Sequence, residues 1–242
     1  MPNDSNLSTE SPLSTKNLIL NALPEEEYER LLPNLKPVKL LLGQYLYRAE
    51  DTIRHVYFPS DAMVSIVATT TAGQSVEIGV IGREGMVGLE VLMGSDSTLN
   101  DHLVQDSNNA LRISTAAIRE EFKRGGVLHD SLLHFTRLLI TQIGQTALCN
   151  RLHTIEERLS RWLLLCRDRA GTNELQLTQE FLASMLGTNR ASVTMSAIAL
   201  QSAGYIKYSR GRIAIIDGEG LEDFTCECYQ MVKNEYDRPP RY

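Results

Sequence analysis

LTQEFLASMLGTNRASVTMSAIALQSAGYIKYSRGRIAII, residues Leu177 to Ile216, decides the architecture of the C-terminal part of the chain. Thr178 stands where a helix N-cap belongs, with Gln179 and Glu180 in the first turn. Leu182, Met185 and Leu186 share the buried side of that helix, and Gly187 permits a sharp turn. Thr188 and Asn189 can cap a second helix, on which Val193, Ala197 and Leu200 fall on one face. The opposite face carries Ala191, Met195 and Ser202, flanked by Arg190, Ser192 and Thr194. From Tyr205 onward apolar and polar residues alternate around Ser209-Arg210-Gly211-Arg212, which predicts a hairpin. Such a unit has little room for a catalytic pocket, but it has the shape to lay one helix in a DNA groove.

The same stretch is a charge anomaly. From Phe181 to Ile216 there is no Asp or Glu, while Arg190, Lys207, Arg210 and Arg212 carry four positive charges, in a chain with 24 Lys+Arg against 30 Asp+Glu. A cationic island in an acidic protein suits a phosphate backbone. A pI near 5.4 argues against wholesale coating of nucleic acid, but steering depends on where charge lies. Residues 156–242 hold 11 basic and 12 acidic side chains and residues 1–155 hold 13 and 18, so the acid excess sits in the first part.

Upstream, the text changes twice. LLLGQYLY, HVYFP, AMVSIVATTT, SVEIGVIG and NALRIS are short β-rich runs between Val38 and Ser114. Turn residues separate them at Gly43, Pro59-Ser60-Asp61, Ala72-Gly73-Gln74 and Gly82, which predicts an antiparallel sandwich or barrel. Residues 129–169 contain no Pro and one Gly, with Leu132, Phe135, Leu139, Ile143 and Ala147 recurring at helical steps. A helix of about 25 residues would run about 38 Å, more than a small barrel covers, so part of this stripe, Phe135, Leu139, Ile143 and Ala147, is expected to meet a second copy of the chain, the alternative being packing along its own barrel. Before the barrel, Asn17–Leu35 predicts short helical pieces, and the polar residues 1–16 a disordered arm.

At 242 residues the chain can hold one large domain or two ordinary ones. Composition is that of an ordinary soluble protein, 43% hydrophobic and 22% charged. No apolar run approaches a membrane span and no secretory signal opens the sequence, so a cytoplasmic setting and no membrane partner are expected. Four cysteines, Cys149, Cys166, Cys226 and Cys228, fit a reducing compartment as structural residues. Cys226 and Cys228 read as members of a terminal helix, facing different sides. His55, His102, His129, His134 and His153 show no metal spacing, so no metal and no cofactor are expected. A lysine-bearing phosphate loop, a strand–turn serine and an H-E-x-x-H pair are all missing, and Glu120-Glu121 and Glu156-Glu157 read as solvated helix faces: not an enzyme.

The order of β-roll, long helix and helix–turn–helix with hairpin resembles the Crp/Fnr family of bacterial transcription regulators. The resemblance is strongest in HTIEERLSRWLLLCRDRAG (His153–Gly171), in L-T-Q-E-x-L-A-x-x-L-G from Leu177, in R-x-S-V-T from Arg190, and in the closing hairpin. It implies an α+β fold, with an antiparallel β-roll of cupin-like jelly-roll type over 17–127, a dimerisation helix over 128–155, and a winged helix–turn–helix over 156–242. It further implies a homodimer on pseudo-palindromic double-stranded DNA, with RNA polymerase as a further partner and a small-molecule effector in the roll. The family's geometry turns Arg190, Ala191 and Met195 toward base edges, with Ser192 and nearby polar groups toward phosphate. Thr178, Gln179, Thr188, Asn189 and Thr194 complete the residues expected at the DNA, with Arg210 and Arg212 as a wing.

The better-known pattern has a carboxylate and a second arginine where Ala191 and Met195 stand, leaving Arg190 as the residue able to grip guanine bidentately. An alternative is an effector-binding or protein-interaction module that keeps the fold with weakened DNA readout. In cyclic-nucleotide receptors of this fold a Gly-Glu segment holds ribose and a nearby arginine holds the cyclic phosphate. Arg83, Glu84 and Gly85 resemble the start of that cassette, but Gly94–Asn109 contains no arginine or lysine. Binding of cyclic AMP is therefore not expected.

Overall fold

The computed structural model describes residues 15–238. The arm expected over residues 1–16 lies outside them except for its last two members, and those do not fit an arm. Thr15 is buried against Ser60, and Lys16 reaches Asp61 at 3.7 Å. Asn17, fully buried, donates to the carbonyls of Pro59 and Gly85 at 2.9 Å each, and its Oδ1 accepts from the Leu20 N–H to cap α1 (Leu18–Asn21). In α2 (Glu25–Leu31) three glutamates occupy the first turn, where the helix dipole favours negative charge.

Seven strands follow: β1 (Lys36–Lys39), β2 (Tyr45–Tyr47), β3 (His55–Pro59), β4 (Met63–Thr69), β5 (Ser75–Ile81), β6 (Asp101–Asp106) and β7 (Asn109–Ser114). They form two antiparallel sheets, β1-β7-β3 and β2-β6-β4-β5. Val56, Phe58, Val64, Ile66, Ile81, Met86, Val104 and Ile113 fill the space between them. The antiparallel roll is as expected. β6 is an addition: the acidic segment after Gly94 is not among the β-rich runs, yet it supplies an interior strand. His102 and Val104 point into the roll, while Gln105 on the other face donates to the Cys166 sulfur at 3.0 Å. With both faces covered, the strand lacks the alternation of polarity that would betray it.

Ser114 caps α3 (Thr115–Arg124), and α4 (Val127–Leu152) then runs for 26 residues. Phe135 and Leu139, expected to face a second chain, are buried in the roll's own core with Ile143 packed beside them. The ring of Phe135 lies where a Cβ on Gly85 would be, 2.0 Å from it. Ala147 is exposed, and so are Leu133, Ile140, Leu148 and Leu152. The unpartnered stripe is thus rotated from the one periodicity suggests, because the same helix buries one face on its own roll.

The helix stops at His153, whose backbone is extended (φ −107°, ψ 153°). Thr154 starts α5 (Ile155–Ala170) with a capping box, exchanging hydrogen bonds with Glu157. Beyond it lie β8 (Glu174–Gln176), α6 (Gln179–Met185), α7 (Arg190–Ser202), β9 (Ile206–Ser209), β10 (Arg212–Ile215), α8 (Gly218–Phe224) and α9 (Glu227–Asp237). The expected hairpin gains β8 as a third strand, in the order β8-β10-β9. A second core of Trp162, Leu163, Leu182, Val193, Leu200, Ile213, Leu221 and Tyr229 takes in Met63, Val67 and Val80 from the outside of the roll.

Candidate nucleic-acid interface

Two caps fix the helix pair. Thr178 Oγ1 accepts from the Phe181 N–H at 3.2 Å, and Asn189 Oδ1 accepts from the Ser192 N–H at 2.9 Å. Thr188 does not share the capping; its N–H closes the turn on the Ala183 carbonyl. Gly187 takes the left-handed conformation (φ +57°) that the sharp turn needs. On α7, Val193, Ala197 and Leu200 are buried, and Ser196 is held inward by donating to Glu156 at 2.8 Å. Glu156 and Glu157 are therefore a partner for α7 and a capping residue, not free solvated carboxylates; Glu121 likewise pairs with Arg30 and Arg124.

The outer face of α7 presents Arg190, Ala191, Met195 (66% exposed) and Ile198 (53%). Ile198 is the member sequence reasoning missed; it lies one turn from Thr194 on the same outer surface. Gln179 accepts from Arg190 Nε at 3.4 Å, bracing the guanidinium from the preceding helix. The hydroxyl of Thr194 is taken up by the Arg190 carbonyl at 2.9 Å, and Ser192 is half-buried. In the β9–β10 turn Arg210 (φ +50°) and Gly211 (φ +76°) are both left-handed, as a two-residue hairpin turn matched to strand twist requires. Lys207, Arg210 and Arg212 are exposed, and among the described residues neither they nor Arg190 has an ion-pair partner. Other exposed arginines divide: Arg30, Arg124 and Arg137 are ion-paired, while Arg48, Arg54, Arg83 and Arg151 have no ion pair among the described residues.

The helix pair is seated against the roll. Trp162 donates from Nε1 to Glu77 Oε1 at 2.8 Å, Arg158 donates to the Leu186 carbonyl, and a Cβ on Gly187 would stand 3.1 Å from Val76. Burial pushes the Glu77 carboxyl up to about 7, against the opposing pull of Ser65, Trp162, Arg161 and Arg169; among the described residues its Oε2 makes no well-formed hydrogen bond. Buried Arg169 pairs with Glu84 at 3.1 Å, donates to the Val80 carbonyl and to Gln142, and lies over the Tyr236 ring.

That pairing decides the state of the expected effector residues. Glu84 is held by Arg169 and by the Gly82 N–H, Gly85 lies under Phe135, and Arg83 is exposed. A cation does reach the loop after Gly94, from α3: Arg119 pairs with Asp96 at 2.6 Å and donates to the carbonyls of Val91 and Ser95. Its charge is matched by Asp96, and each of its three nitrogens already has a partner.

The cysteines depart most from expectation. Cys226 is not helical; it is the extended N-cap of α9 (φ −71°, ψ 159°), so it and Cys228 turn the same way. With Cys149 and His153 they bring four donor atoms within 4.8 Å of one another. Cys166 is elsewhere, buried against Gln105.

Comparison with known proteins settles what the helix pair is. Residues 157–224 match the Crp-like helix-turn-helix domain. The chain carries a Crp-like helix-turn-helix domain. No curated protein sequence matches the chain. Among solved structures, FixK2 of Bradyrhizobium japonicum superposes with a TM-score of 0.68 at 14% identity, over 79% of this chain and 98% of that one. CLP of Xanthomonas campestris, a c-di-GMP-responsive global regulator, gives 0.65 at 16% identity over 79% and 99%. A CRP/FNR-family transcriptional regulator of Thermus thermophilus gives 0.63 at 18% identity over 78% and 97%. The roll, the long helix and the Crp-like domain thus form the fold of Crp/Fnr transcription regulators. No helix among the described residues is long and apolar enough to cross a membrane.

Proposed function

We propose that the chain is a sequence-specific, DNA-binding transcription regulator that acts as a homodimer on pseudo-palindromic sites and works without binding cyclic AMP. The observation that carries the reading is the exposed, unpaired cationic set of Arg190 on α7 and Lys207, Arg210 and Arg212 on the wing, mounted on a Crp-like domain. A symmetric dimer sets its two recognition helices about 34 Å apart, one turn of the duplex. Arg190 supplies the base-reading contact, while exposed Met195 and Ile198 suit thymine methyl groups. The wing arginines hold phosphate and supply affinity without choosing sequence.

Footprinting of the region upstream of its own gene tests the reading. Wild-type protein is expected to protect a site with two half-sites, and Arg190→Ala to lose about 1–3 kcal/mol of discrimination at each. Circular dichroism of that variant should match wild type, since Arg190 is exposed. A footprint that survives Arg190→Ala unchanged would refute its role, and no specific binding by wild type would favour the protein-interaction reading.

The wing has its own signature. Replacing Arg210 and Arg212 together by Ala should weaken binding alike on specific and unrelated DNA. It should also reduce the slope of log affinity against log salt by about 0.9 for each phosphate left without its arginine. A salt titration showing the wild-type slope in the double variant would remove the wing from the interface.

A further inference from the structure

Cys149 lies in the last turn of α4, His153 ends that helix, and Cys226 and Cys228 open α9. The sulfurs of Cys149 and Cys226 are 3.5 Å apart, and the Cys228 sulfur is 3.6 Å from His153 Nδ1. All three cysteines are buried, and His153 is half-buried. A four-coordinate zinc ion with Zn–S of about 2.3 Å and Zn–N of about 2.0 Å spaces its donors about 3.5–3.8 Å apart. The cluster already has two edges of that length, between residues 77 and 75 positions apart in sequence. We propose that Cys149, His153, Cys226 and Cys228 form a structural zinc site joining the end of the long helix to the start of the C-terminal one.

Two further features point to a metal rather than to four residues that happen to pack together. The second ring nitrogen of His153, Nε2, faces the Glu227 carboxylate at 3.5 Å. A carboxylate on that side favours the tautomer protonated at Nε2, which turns a lone pair on Nδ1 toward the sulfurs, as a metal-bound histidine requires. Beside Cys149 lies the buried guanidinium of Arg161, whose Nε has no hydrogen-bond partner among the described residues. Three thiolates around a divalent ion carry one net negative charge, and a buried cation balances it.

The donor set also selects the metal. Thiolates and imidazole exclude calcium and magnesium, which take oxygen ligands. Donors converging within 4.8 Å surround a single ion, whereas a four-iron cluster seats each thiolate on a different iron and spreads them wider. Four protein ligands leave no open coordination position, so the site is structural and not catalytic.

The 242-residue chain, purified under reducing conditions without chelator, should carry about one zinc per chain by elemental mass spectrometry. Replacement by Co(II) should give the thiolate charge-transfer band and visible d–d bands of a tetrahedral sulfur-rich site. Cys149→Ser and Cys228→Ser should each lose most of the bound metal, while Cys166→Ser, altered outside the cluster, should keep it. His153→Cys guards against mere misfolding: a fourth thiolate should restore zinc binding, which a packing role would not. The proposal is overturned if wild type takes up neither zinc nor cobalt, or if the serine variants retain full metal. It is equally overturned if peptide mapping finds a Cys149–Cys226 disulfide in place of the ion.

Discussion

If the proposed homodimer pairs through the outer face of α4, Ile140→Glu is expected to give a folded monomer and to weaken operator binding by roughly 100-fold or more, the avidity that a second half-site contributes. Ile140 is 64% exposed and lies on the face of α4 that turns away from its own roll. Leu133 and Ala147, one heptad to either side, are also exposed, as are Leu148 and Leu152. Gly144 lies on the same side, and a Cβ there would meet nothing within 4 Å, so a second helix can approach closely. Placing two glutamates across a two-fold axis in an apolar seam costs several kcal/mol, because neither has a partner or water. The substitution removes nothing from the core, so far-ultraviolet circular dichroism should be unchanged. Light scattering should then report about 27.1 kDa, the mass of one chain. A variant that stays dimeric and binds DNA as before would place the seam elsewhere.

Glu77→Gln is expected to stabilise the protein above pH 7 by as much as about 3 kcal/mol, and to do little at pH 4.5. The carboxyl is fully enclosed between β5 and α5, and burial raises it from 4.5 to about 7 in the folded chain. A raised carboxyl favours folding in its protonated form. Its contribution is complete below about pH 4.5 and is lost as pH rises through 7, where the ionised group sits against Trp162 with no well-formed hydrogen bond to Oε2 among the described residues. Arg161 and Arg169 soften that loss without cancelling it. Glutamine keeps the acceptor for Trp162 and removes the charge. Denaturant titrations at pH 5 and pH 8, followed through the single tryptophan, should show the gap between the two proteins opening with pH. Parallel pH profiles would show that another group governs this buried junction.

The helix–turn–helix is legible because its signals are local. Thr178, Gly187 and Asn189 act within three residues of where they stand, and the buried faces of α6 and α7 follow from helical spacing. The roll is legible in its strands but not in β6, whose two faces meet different neighbours. The stripe of α4 is hidden for a related reason: periodicity shows that a helix has an apolar face, not whether its own chain covers it. The sulfur cluster leaves no trace in spacing. Its four donors come from the end of α4 and the start of α9, which the fold brings together, and Cys226 caps its helix from outside where the sequence suggests a helical residue.

His153 and Thr154 are the two residues between α4 and α5, and both are extended. In a dimer whose long helices define the symmetry axis, the reach from one recognition helix to the other is set by the few torsions of this elbow. Operator geometry is then an angular setting of the protein, held by the capping box of Thr154 and Glu157. Loosening that setting would not abolish DNA binding outright. It would let the dimer tolerate a range of half-site separations, each occupied weakly, where a rigid elbow admits one separation and occupies it well.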